Sequence, residues 1–176
     1  MEEFAAVRGV PENKPVRMAM AMVRGYASHD AGAVSAAVDG VGEAAHAEMC
    51  VIVDGLLRST LAIAGIVGQG VSGDALVRLV DRVSSVAPPH FEFAVGEAVR
   101  GFALGGETKG QQVSLEDTLG TLHALAACTA ALGLSLWGRE VFIGLLAESV
   151  RTALELSRTT GVAGRGSSPM DSSGKV

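Results

Sequence analysis

The sequence predicts an all-α fold, a six-helix bundle, on three observations. Apolar residues recur at helical spacing through most of the chain. The apolar fraction is 48%, yet aromatics make up only 4%, so a core of mostly Ala, Val and Leu favours close-packed helices over an aromatic-rich sheet. Gly- and Pro-rich punctuation divides the chain into pieces of helix length. At 176 residues it suits one domain with a real core.

Residues 1–15 read as a polar N-terminal arm, with Pro11 and Pro15. From Val16 to about Ser28, the positions Met18, Ala19, Met22, Val23 and Tyr26 form a helical stripe. SHDAG is the expected loop. Residues 33–67 are Ala-rich and helical in pattern, and Gly40 and Gly42 leave open whether they make one helix or two. Beyond Glu43, one stripe carries His46, Met49, Cys50, Val53, Leu56, Leu57 and Thr60. Asp54 and Arg58 stand at i and i+4, acid first, the supportive order. GQGVSG ends this helix, with Ser72 as N-cap of the next.

An amphipathic helix is expected over 74–87, stopped by Pro88 and Pro89. The next begins at His90, with Phe91, Val95, Ala98, Val99 and Phe102 on its apolar face. GETKGQQ is a loop. Ser114 with Asp117 resembles a capping box opening a helix to about 136. A turn near Trp137-Gly138 leads into a last helix to about 160, where Glu148, Arg151, Glu155 and Arg158 make a charged, exposed stripe. Residues 161–176 read as a flexible Gly/Ser-rich tail.

One pattern occurs twice: MVRGYA at 22–27 and AVRGFA at 98–103. Each copy closes a helix and is followed by a loop, a Val-Ser pair and a long Ala-rich helix. The repeat suggests an internal duplication: a single domain over 16–160 made of related three-helix halves, 16–87 and 90–160, about an internal two-fold axis. Its arginines have two readings. They are solvated surface residues, or Arg24 and Arg100, with Tyr26 and Phe102 beside them, mark a cleft between the halves that grips an anion or a partner.

Several chemistries find little support. Net charge is −5 and no block of basic residues appears, so nucleic acid is not an expected partner. No nucleophile elbow, phosphate-cradling loop or dinucleotide fingerprint occurs, which argues against an enzyme and leaves no catalytic residue to name. No cofactor is expected. MAMAM at 18–22 has a spacing met in copper(I) sites, but on a helix Met20 points away from Met18 and Met22. His46 and Cys50 at i and i+4, with His123 or Cys128 as a third, form the best metal-ligand set, although no recognised metal motif supports it and buried core side chains are the better reading. Cys50 and Cys128 both lie in apolar stretches and read as buried thiols of a reducing compartment.

The start of the chain lacks an apolar stretch, so no secretory signal is expected and a cytoplasmic location is. Residues 119–138 carry no formal charge and are long enough to cross a bilayer, yet read better as a central helix surrounded by others. The expected function is non-enzymatic: a helical protein acting through self-association as a homo-oligomer or by binding a protein partner. The alternative is a bundle that binds a small anionic ligand between its halves.

Overall fold

The computed structural model describes residues 14–67, 73–103 and 117–163. The expectations for residues 1–13, Ser72, the GETKGQQ loop, Ser114 and the tail from 164 lie outside them. The protein is all-α, with helices α1 (Lys14–Ser28), α2 (Ala31–Val38), α3 (Glu43–Val67), α4 (Gly73–Ser84), α5 (Pro89–Ala103) and α6 (Thr118–Ala163). No strand occurs among the described residues.

Helix α1 starts two residues earlier than Val16, with Lys14 and Pro15 inside it; proline is tolerated in a first turn, whose N–H groups have no intrahelical partner. It buries Ala19, Met22, Val23, Tyr26 and Ala27. Its end is a left-handed cap. His29 has φ 57°, its N–H reaches the Tyr26 carbonyl at 3.2 Å, and the Asp30 N–H reaches the Gly25 carbonyl at 2.9 Å. Asp30 then caps α2, its Oδ1 accepting from the Ala33 N–H at 2.9 Å. The expected loop is therefore only His29-Asp30.

The 33–67 stretch is two helices. Asp39 turns extended after α2, and Gly40 adopts φ 68°, a conformation that glycine takes without strain. In α3, Met49, Val53, Leu57 and Thr60 are buried and His46, Cys50 and Leu56 half-buried. Arg58 and Asp54 pair at 2.6 Å on its outer side. Helix α4 ends at Ser84 rather than at 87; the turn beyond it buries Val86 and Ala87. Pro89 opens α5, so the two prolines separate the helices as expected.

Helix α6 is two helical arms, 118–137 and 139–163, meeting at Gly138 with φ 73° and ψ 173°. This is the turn expected near Trp137-Gly138, and the second arm runs past 160 into residues assigned to the tail. Asp117 opens the first arm directly, its carboxylate accepting from the Gly120 N–H. The bend folds Phe142 back onto Gly133, where any Cβ would collide with the ring. Trp137 stacks on Phe142, ring centroids 6.0 Å apart.

The first arm is the centre of the bundle: every residue from Leu122 to Gly133 is buried. α6 is long and apolar enough to cross a membrane, but 72% of its most apolar window is covered by the rest of the protein. A helix apolar all round needs such a surround. The buried threonine hydroxyls are satisfied within their own helices: Thr60 donates to the Leu56 carbonyl and Thr129 to the Leu125 carbonyl, each at 2.8 Å.

The two VRG-aromatic-Ala copies occupy different surroundings. A Cβ on Gly25 would lie 2.8 Å from Val34 Cγ2 and 3.0 Å from its backbone nitrogen, so this glycine lets α1 and α2 touch. At Gly101 nothing lies within 4 Å. Tyr26 is wholly buried, whereas Phe102 is half-buried against the core edge.

Candidate functional site

A surface trough along α1 and a buried cluster around His123 each bring chemistry-bearing side chains together.

The trough has a volume of about 860 Å³ and lies where α1, α2 and the second arm of α6 meet. Its lining on α1 runs from Lys14 to Arg24, positions ten apart that rise about 15 Å along the helix. Lys14, Arg17 and Arg24 stand along it at intervals of three and seven, so all three project toward one side of the helix. Met18, Met20 and Ala21 lie between them, half-buried. Ala33 and Ala37 of α2 and Leu146 and Val150 of α6 complete the apolar floor. Asp39 is the one carboxylate among the described lining residues. Neither Lys14 nor Arg24 forms an ion pair with another described residue, so their charges are available to a visitor.

Arg100, which the sequence paired with Arg24, does not line the trough. It is held by acids of its own neighbourhood: Glu97 Oε1 at 2.6 Å on the same helix and Asp81 Oδ1 at 3.5 Å on α4. An arginine already matched in this way has less to offer an anion. Tyr26 points into the core at 0% exposure, so it contacts no ligand or partner at the surface. Its alternation explains this: on α1, Tyr26 follows Met22 and Ala19 on the inner side, while Arg24 follows Arg17 and Ala21 on the outer. The sequence reading missed Lys14 and Arg17. The signal was their helical register with Arg24, obscured by placing Lys14 in the arm.

The buried cluster joins four helices. Tyr26 Oη and His123 Nδ1 are 2.7 Å apart, with neither residue exposed. Phe91 of α5 lies against the His123 ring at 5.0 Å between centroids, and His90 lies against Phe91 at 4.1 Å. Cys50 of α3 donates to the Thr118 carbonyl at 3.5 Å. Burial holds His123 low, at about 4, with the charge of His90 adding to the effect. Burial likewise drives the Tyr26 hydroxyl well above its usual range. His123 is therefore neutral near pH 7, a hydrogen-bonded core side chain. The Nε2 atoms of His46 and His123 are buried without a partner.

The best metal-ligand set from the sequence was His46, Cys50 and His123. Among the described residues no three His, Cys, Asp or Glu side chains come together to hold a metal ion. His123 is turned toward Tyr26 by its Nδ1, and the Cys50 thiol is spent on a backbone carbonyl. Both cysteines are free thiols; burial pushes Cys128 up to about 12 and raises Cys50 less. Protonated thiols of this kind are poor nucleophiles. Of the MAMAM sulfurs, Met22 is in the core, and Met18 and Met20 reach the trough.

No family model matches the chain, and neither a curated protein nor a solved structure does.

Proposed function

We propose that this is a non-enzymatic binding protein whose working surface is the α1 trough, where it takes a segment of a partner protein. The observation that carries this is the line of Lys14, Arg17 and Arg24 along an apolar floor. Cations beside an apolar surface recognise a partner with an acidic edge and an apolar body. Methionines at the contact add adaptability, since an unbranched thioether fits irregular surfaces. The free cysteines accord with a reducing, cytoplasmic setting.

A selection of short random peptides against the folded protein tests this. Selected binders should lose affinity for a Lys14→Glu/Arg24→Glu variant that retains the native circular dichroism and urea midpoint. Binders that recognise the variant equally well, or none at all, would defeat the proposal.

Self-association is a second reading, favoured by large apolar side chains left in solvent. Phe93 is 80% exposed and Val51 74%, on α5 and α3. Light scattering after size exclusion distinguishes the two: a dimer broken by Phe93→Ser or Val51→Ser supports self-association, and a concentration-independent monomer removes it.

A further inference from the structure

We infer that the trough's ligand is an acidic amphipathic helix, with carboxylates on one edge and small or aliphatic residues on the face that meets the floor. This rests on the trough being the binding surface and names what it binds.

Three properties of the trough lead there. The first is length. Lys14 and Arg24 lie about 15 Å apart along α1, the rise of ten helical residues, so cations at that spacing match carboxylates repeated along a helix of about three turns. The second is openness. Of the described lining residues, only Ala37 and Leu146 are buried, and Lys14, Arg17, Arg24, Ala36, Asp39 and Ala147 are exposed. A small molecule bound tightly has about 70–90% of its surface covered, which a trough of this shape cannot provide. A helix laid in a groove needs only one face covered.

The third is charge. Among the described lining residues Lys14 and Arg24 are cations without an ion pair to another described residue, with Arg17 and the carboxylate of Asp39 beside them, on a chain whose net charge is −5. The patch runs against the sign of the whole molecule, so distant charges repel an acidic partner while near ones attract it. Screening weakens the distant terms first, since the Debye length is about 8 Å at physiological salt. The small side chains Ala33, Ala36 and Ala37 on α2 allow a helix backbone to come close.

The test uses defined probes and the full chain. One peptide carries Glu at i, i+3, i+7 and i+10 opposite an Ala/Leu face, the second has Gln in place of each Glu, and the third has Lys. Dodecyl phosphate serves as a small anionic amphiphile. Fluorescence anisotropy reads affinity at low and physiological salt, and circular dichroism reads helix formation on binding. The Glu peptide should bind and gain helicity. Its Gln counterpart should bind about tenfold more weakly, as expected when a few exposed ion pairs are lost. The Lys14→Glu/Arg24→Glu variant should reverse the order and prefer the Lys peptide.

Equal binding of the Glu and Gln peptides, abolished by the variant, would overturn the acidic requirement and leave the trough as a binding surface. Dodecyl phosphate binding with no peptide bound would overturn the helix and favour a small anionic ligand at the same place. Glu-peptide binding indifferent to the variant would overturn both this inference and the trough itself. Binding by none of the probes would overturn the inference.

Discussion

Replacing Gly25 and Gly101 by alanine, one at a time, should have opposite effects on stability, although both occupy the third position of Val-Arg-Gly-aromatic-Ala. Both lie in helices, α1 and α5, and both gain roughly 0.5–1 kcal/mol from the lower backbone entropy of alanine. That gain is common to the pair and largely cancels when the variants are compared. What remains is the collision at Gly25. Its new Cβ would lie 2.8 Å from Val34 Cγ2 and 3.0 Å from Val34 N. Val34 is β-branched, with one strongly preferred rotamer on a helix, and its backbone nitrogen cannot turn aside. Helix α2 has to shift, and overpacking of this kind costs about 1–3 kcal/mol. Gly25→Ala should thus lie about 1–3 kcal/mol below Gly101→Ala, and Gly101→Ala at or slightly above the parent. Urea unfolding followed by far-UV circular dichroism reads the gap as a midpoint difference of about 1 M if m is near 2 kcal/mol/M and unchanged. Equal midpoints would refute the reasoning, because they would mean that the α1–α2 approach at Gly25 is not a constraint.

Three further outcomes follow from the backbone and the core. His29→Gly should stabilise the protein by about 1 kcal/mol, a rise in Tm of roughly 2–4 °C, because a left-handed cap favours glycine; an unchanged or lowered Tm contradicts the φ of 57°. Gly138→Ala should cost about 1–3 kcal/mol, since φ 73° with ψ 173° is open almost only to glycine, while the exposed Gly144→Ala, with nothing within 4 Å, should be tolerated. The acid limb of stability should carry the signature of His123, whose folded value sits near 4 against 6.5 when exposed. Between those values the unfolded chain binds a proton that the folded one does not. Stability is therefore full above pH 6.5 and falls by about 3 kcal/mol as pH drops to 4, with no further loss from this group below. His123→Asn should flatten the urea-midpoint profile across that window by about one proton, and an unaltered slope would remove His123 from the account.

The candidate site divides along the same line as these predictions. Lys14, Arg17 and Arg24 share a side of α1 by spacing alone, a register that the sequence carries in full. What turns a shared side into a trough is the flanking of α1 by α2 and the second arm of α6, whose Leu146 and Val150 come from the far end of the chain. Arg100 shows the converse. Its match to Arg24 in sequence was good, but its charge is answered by Asp81 of α4, a neighbour that no local pattern places there. Motif likeness reports local conformation, whereas the charge left over for function depends on what packs alongside.

The helices, their inward faces and most of their ends were legible in the order of residues. They follow from interactions within a few positions: the 3.6-residue period, the stop at Pro88-Pro89, the Asp54–Arg58 pair and the break at Gly138. Two outcomes needed the folded chain: the meeting of Tyr26 with His123 from 97 positions away, and the close contact at Gly25 but not at Gly101. Those outcomes depend on which helix faces which, and alanine-rich faces differ so little in shape and polarity that periodicity cannot choose among partners. Only the packing of the whole chain, filling one core without voids or buried unpaired charge, makes that choice.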